Sequence, residues 1–201
     1  MLPAQPERRS MRNLVKGDSE ECTSSKSTLS GSHERKFVMA SIGNYAYILK
    51  CKFAVTSLRK VDEPLRLAHA VRHLGDAYYY ARRAAQAESC YVEALSIYRG
   101  RKQTRPLDLA NAIRSFAVLK DYVGALEEAK PLWQEAHDLY VATNAPAGVA
   151  ESAARLALLA RRQGDLHRSR EWLSEASRSA ETLDDPETLQ YIREVRAQIE
   201  G

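Results

Sequence analysis

Apolar residues recur along this chain at helical spacing, and whole blocks of them return at a fixed interval. Pro64-Leu65-Arg66-Leu67-Ala68-His69-Ala70-Val71-Arg72 aligns without a gap on Pro106-Leu107-Asp108-Leu109-Ala110-Asn111-Ala112-Ile113-Arg114, an offset of 42. The register continues, with Leu74 on Phe116, Ala87 on Ala129, Tyr91 on Trp133, Ala94 on Ala136 and Tyr98 on Tyr140. A third copy follows at an offset of 40, carrying Leu156, Ala157, Gly164, Leu166, Leu173 and Ala176. Each copy predicts two amphipathic helices joined by a short turn. Small residues (Gly75, Ala87, Ala94, Ala117, Ala129, Ala136) mark where helices approach closely. Large ones (Leu74, Tyr78, Tyr91, Phe116, Trp133) fill the space between them. One pair cannot bury its apolar face alone, so neighbours must stack. Repeats are expected over about 64–105, 106–145 and 146–184.

Flanking elements follow from the same pattern. Tyr47, Cys51, Ala54 and Leu58 form one apolar stripe, predicting a docking helix over 44–60. Asp184-Asp185-Pro186 opens a last helix over 186–199, with Asp185 as N-cap and Pro186 at the first helical position. Leu189, Ile192, Val195 and Ile199 share one side of it, and the polar other side suits a cap. Gly164-Asp165 predicts the turn inside the third repeat, and Asn144-Ala145-Pro146 the break before it. Pro131 falls inside a predicted helix, so it should lie near the start or bend it. Residues 1–36 are rich in Ser, Glu, Lys and Arg without periodic apolar positions, which predicts disorder. Residues 1–43 are therefore an extension, with Met11 and Met39 as alternative starts.

The spacing Val71-x2-Leu74-Gly75-x2-Tyr78, then Ala87-x3-Tyr91-x2-Ala94, resembles the tetratricopeptide signature. Val71 replaces its Trp, Lys120 stands where the second copy should have Tyr, and Ser169 replaces a packing Ala. The repeats exceed the usual length of about 34 residues. They are similar to those of kinesin light chains and of many bacterial repeat proteins, as is the run Ala129-Lys130-Pro131-Leu132-Trp133. The resemblance covers about 64–184. It implies an all-α solenoid of antiparallel helix pairs (a superhelix) that binds other proteins and is not an enzyme. It also implies that each first helix lines the concave face. That face would carry His69, Arg72, Asp76 and Tyr79, then Asn111, Arg114, Val118 and Asp121, then Glu151, Arg155, Leu158, Arg161 and Arg162. The carboxylate clamp of chaperone-binding members is not matched: Arg72, Asp76, Ser115 and Glu151 stand where Lys, Asn, Asn and Lys are wanted, and only Arg155 fits.

Charge and composition narrow the chemistry. The chain has 201 residues and a net charge of +4. Residues 1–63 hold 11 basic and 7 acidic side chains, so they carry the whole excess, and the repeats are balanced. That argues against nucleic-acid binding, which rests on many basic contacts to phosphate. The apolar stretch from Phe37 to Leu58 is broken by Asn44, Lys50 and Lys52, so no membrane span is expected. Cys22, Cys51 and Cys90 fit three reduced thiols in a cytoplasmic protein. Alanine and arginine outnumber lysine, as in GC-rich bacterial proteins. No nucleophile elbow, P-loop or His-Glu-x-x-His pattern is present, and no cofactor is expected.

Three constellations remain. Arg72 and Arg114 share a repeat position, so they should stack one repeat apart, and their forks suit a carboxylate-bearing peptide or helix. Alternatively these arginines pair with Asp76, Asp121 and Glu151 inside the groove. Tyr78 should pack, with Tyr79 and Tyr80 towards the groove. His69, His73 and Asp76 share a helix face and could hold a metal, the basis of an alternative enzymatic reading, although no fourth ligand is visible. The other alternative is a structural protein that forms a homodimer through an uncapped end of the stack.

Overall fold

The computed structural model describes residues 32–201, with side chains from Tyr45 onward. Eight helices are present among the described residues: α1 Ser32–Leu58, α2 Pro64–Tyr80, α3 Ala84–Arg99, α4 Pro106–Tyr122, α5 Leu126–Ala142, α6 Pro146–Arg162, α7 Leu166–Glu181 and α8 Pro186–Glu200. α2/α3, α4/α5 and α6/α7 form tight pairs that stack in chain order. α1 lies on α2, and α8 closes on α6 and α7. Prolines 64, 106, 146 and 186 each open a helix, where the missing N–H has no intrahelical role.

The turn inside each pair is one device used three times. A residue in the left-handed region ends the first helix: Arg82 (φ 58), Gly124 (φ 78) and Gly164 (φ 80). The next N–H reaches back to close it, Arg83 to Tyr78, Ala125 to Lys120 and Asp165 to Ala160, at 2.9, 2.9 and 3.0 Å. Such closure satisfies carbonyls that the helix end leaves open. Glycine holds that conformation without strain, and Arg82 holds it at a cost of about 1 kcal/mol. Asp165 also caps α7 by accepting the Arg168 N–H.

The packing follows the small-and-large pattern. Ala87, Ala94, Ala110, Ala112, Ala117, Ala129, Ala136, Ala153 and Ala157 are all fully buried, so helices approach closely there. Val71, Tyr91, Ile113, Leu119 and Trp133 fill the seams. Full burial of each such side chain stabilises by about 1.5–3 kcal/mol. The two polar departures from the repeat pattern are accommodated by hydrogen bonds and ion pairs of their polar atoms. Ser169 is fully buried and its hydroxyl donates to the Ala157 carbonyl at 2.8 Å. Lys120 buries its stem and places Nζ over the Phe116 ring, 5.1 Å from its centroid, and 2.7 Å from both Glu88 and Glu128.

The two layers of the stack are built differently. First helices approach directly, α2 against α4. Second helices are joined by long side chains instead. Arg59 of α1 pairs with Glu93 of α3, and Arg99 of α3 with Glu135 of α5. His137 of α5 then meets Glu175 of α7.

Several expectations need correction. α1 begins at Ser32, so helix replaces the expected disorder over 32–36 and precedes the expected start at 44. Residues 37–43 carry few strong breakers, and a helix once nucleated extends through them. α1 buries Ile48, Cys51 and Val55, whereas Tyr47, Ala54 and Leu58 are only half-buried. Pro131, by contrast, lies near the start of α5 as expected, in its second turn, and is exposed. Asp185 sits at the N-cap position, but its carboxylate accepts the Thr188 hydroxyl rather than a backbone N–H. Residues 1–31, with Cys22 and Met11, lie outside the described residues.

Candidate functional site

First helices carry polar positions at corresponding places in successive repeats, and the arginines there meet carboxylates. Arg72 Nη1 lies 3.2 Å from Asp76 within α2. Arg114 Nε donates to Glu151 at 2.6 Å, from α4 to α6. Arg155 Nη1 of α6 lies 3.9 Å from Asp121 of α4. The Arg155 guanidinium also stands over the rings of Trp133 and Tyr191, at 5.8 and 5.7 Å. Arg72 and Arg114 thus share a repeat position but not a partner. Asp76 is one turn beyond Arg72, whereas Val118 occupies that place beyond Arg114, so Glu151 of the next repeat answers instead.

Second helices anchor these polar residues from behind. Tyr91 donates to Asp76 at 2.8 Å, Trp133 Nε1 to Asp121 at 2.9 Å, and Tyr140 to Asn111 at 2.8 Å. Asn111 therefore serves the α4/α5 contact. Tyr78 is buried, Tyr79 and Tyr80 half-buried, and Tyr79 packs edge-on against Tyr122 of the next repeat at 5.4 Å. Arg161 and Arg162 lie exposed in the last turn of α6, apart from the paired line.

His69 is exposed, with its Nε2 3.1 Å from that of His73. The Arg72 guanidinium stands 3.0 Å from His73 Nε2, placing a fixed cation where a metal would sit. Among the described residues no group of three or more His, Cys, Asp or Glu side chains is arranged to hold a metal ion. The metal reading of His69, His73 and Asp76 is corrected on that geometry. Of the buried polar residues, Lys120 is visible in the sequence as a departure from the repeat, whereas His137 is not. His137 packs edge-on to Trp172 at 5.0 Å. His137 does not stand out because its place one repeat earlier is held by Leu95, an apolar core position.

The carboxyls on this face titrate in opposite directions. Burial pushes Asp76 up, but the His73 hydrogen bond and the Arg72 charge outweigh it and hold it below the ordinary range. Burial likewise opposes Glu151, and the Arg114 charge and hydrogen bond win. For Asp121 burial prevails over Arg155 and Trp133, so it is raised. A depressed carboxyl stabilises the fold above its ordinary value, and that contribution is lost as pH falls through the lower folded value. Asp121 has the reverse sign: its ionisation costs stability as pH rises through the ordinary value towards the higher folded one. Glu151→Gln should lower Tm at pH 7 by roughly 3–6 °C. In melts at decreasing pH, its gap to the wild type should close below about pH 4. A gap unchanged at about pH 3 would remove the Arg114–Glu151 pair as a source of stability.

The thiols described offer no chemistry here. Cys51 and Cys90 are buried and unbridged. Burial pushes both upward, Cys90 to about 11, so little thiolate forms at neutral pH.

No family model and no curated protein matches the chain by sequence. Solved structures do match. The structure of BtubC (BKLC) from P. vanneervenii is 20% identical with a TM-score of 0.62, covering 74% of this chain and 62% of that one. This chain thus spans less than two thirds of BtubC. A Podosopora anserina putative kinesin light chain with nearly identical TPR-like repeats is 16% identical, with a TM-score of 0.57 over 83% of this chain and 90% of that one. The N-terminal domain of stress-induced protein-1 (STI-1) from C. elegans is 18% identical, with a TM-score of 0.52 over 68% of this chain and 99% of that domain. In fold, then, the chain is a tetratricopeptide-type repeat protein, an all-α solenoid of helix pairs.

Proposed function

We propose that the chain is a non-catalytic interaction module whose concave face, on α2, α4 and α6, holds a peptide or helix of another protein. Helical solenoids of this class use their extended concave surfaces for binding. One observation carries the reading: three part-buried arginine–carboxylate contacts run along the face, at Arg72–Asp76, Arg114–Glu151 and Arg155–Asp121. Apolar seams alone would hold the stack, and charges in such sites cost desolvation that well-packed leucines would not. Their fixed donors and acceptors suit a partner with alternating charges better than a uniformly acidic one. His69, Tyr79, Arg161 and Arg162 would line the exposed rim.

The test is affinity capture with the full chain as bait. Reversing Arg114 would set two carboxylates together at Glu151, so the informative variant is Arg72→Gln with Arg161→Glu and Arg162→Glu. A protein retained by the wild type and lost from this variant, with its cooperative melt kept and Tm lowered by no more than the few degrees due to loss of the Arg72–Asp76 pair, is the expected result. Equal retention by both would remove the concave face as the binding surface.

A further inference from the structure

The two ends of the described stack differ in kind. At one end α8 buries Ile192, Val195 and Ile199 and turns Arg193, Glu194, Arg196 and Gln198 outward, a polar termination. At the other, α1 buries Ile48, Cys51 and Val55 against α2, yet leaves Tyr45, Leu49 and Phe53 58%, 48% and 76% exposed. These three recur at every fourth position, so they form a continuous line on one helix face. α1 therefore has two apolar faces, as the interior helices of the stack do. Every helix from α2 to α7 packs against both its predecessor and its successor, so both faces are covered by helix. Among the described residues nothing covers the second face of α1.

Charge decides what would fit there. No carboxylate occurs between Glu34 and Asp62. Lys50 and Lys52 are exposed and, at 100° per residue, stand on opposite sides of the line, Lys52 with its Nζ 5.9 Å from the Tyr78 ring centroid, and Lys60 lies beyond its end. The nearby Arg59 is engaged with Glu93. A second copy of this face would bring lysine to lysine with no carboxylate between residues 35 and 61 to answer it.

We infer that this outer face of α1 docks an amphipathic helix of a partner protein with acidic residues flanking its apolar stripe. The stripe would pack on Tyr45, Leu49 and Phe53, and the acidic flanks would meet Lys50 and Lys52. The partner helix would take the place that a preceding repeat helix has elsewhere in the stack. This surface is separate from the concave face.

Two labelled synthetic helices test it by fluorescence anisotropy against the full chain, each with leucines at i, i+3, i+4 and i+7. One has glutamates at the flanking positions and the other lysines. The glutamate helix should bind at least about tenfold more tightly than the lysine helix, and added salt should weaken it. Leu49→Asp with Phe53→Asp should weaken it at least about tenfold, the scale set by lost apolar burial. Arg161→Glu with Arg162→Glu should leave it unchanged. Absence of saturable binding, equal binding of both helices, or indifference to the Leu49 and Phe53 changes would overturn the inference. So would a dimer in sedimentation, or binding to phosphatidylserine vesicles, that the same two changes abolish. Those results assign the face to a second copy or to a membrane surface.

Discussion

Replacing Trp133 with alanine should destabilise the protein by about 4 kcal/mol in urea titrations, the scale for a large aromatic removed from a packed site. Trp133 is fully buried where two repeats meet, among Ala117, Val118, Ala129, Leu156 and Leu159. Its loss leaves a cavity that helices already in contact through alanines cannot collapse to fill. It also removes the indole N–H from Asp121 and a ring from beneath Arg155. Asp121 Oδ1 is buried and makes no hydrogen bond, so that carboxylate has little to spare. Trp133→Phe separates the two parts, since it keeps most of the packing and should cost about 1–2 kcal/mol for the unsatisfied acceptor. A loss below about 1 kcal/mol for the alanine variant would mean that the repeats are not coupled through this residue.

Gly148→Ala should cost about 2–3 kcal/mol, at the upper end of overpacking by one methyl group. A Cβ at Gly148 would fall within the Tyr140 ring, directly against its Cγ, Cδ1 and Cδ2. That ring cannot swing aside, because Tyr140 is 2% exposed and its hydroxyl is bound to Asn111. Gly75 meets Tyr91 in the same way, with an added Cβ 2.6 Å from Cε1, so Gly75→Ala should behave alike. A double-mutant cycle with Tyr140→Leu checks the cause. If ring contact is responsible, Gly148→Ala should cost little in the Tyr140→Leu background. An equal cost in both backgrounds would refute it.

The repeat architecture was legible because it is written three times, and a match of Pro64–Arg72 to Pro106–Arg114 leaves little freedom in register. The second face of α1 was not. Tyr45, Ile48, Leu49, Val55 and Phe53 are spread around the helix, so periodicity alone does not choose which side meets α2. The inner face was legible as a set of residues but not as a set of contacts. Arg114 and Glu151 are 37 residues apart, and their pairing depends on how far one repeat advances on the next. Reading the 42-residue offset onto position 118 shows a valine where a carboxylate would be needed, and that was the available clue. Lys120 and Ser169 were visible as departures. What makes them tolerable, Glu88 with Glu128 and the Ala157 carbonyl, comes from other helices.

The side-chain links between second helices bear on how the molecule yields to force. Of the first helices, α2 and α4 approach directly, so their spacing is fixed by hard contact. The second helices are held apart and joined at Arg59–Glu93 and Arg99–Glu135, whose side chains are largely in water. Each such link is worth well under about 1 kcal/mol and weakens with salt. Where α2 meets α4, the stack therefore has one stiff edge and one compliant edge. Pulling on its ends should open it first on the second-helix side of that junction, and more easily at high ionic strength.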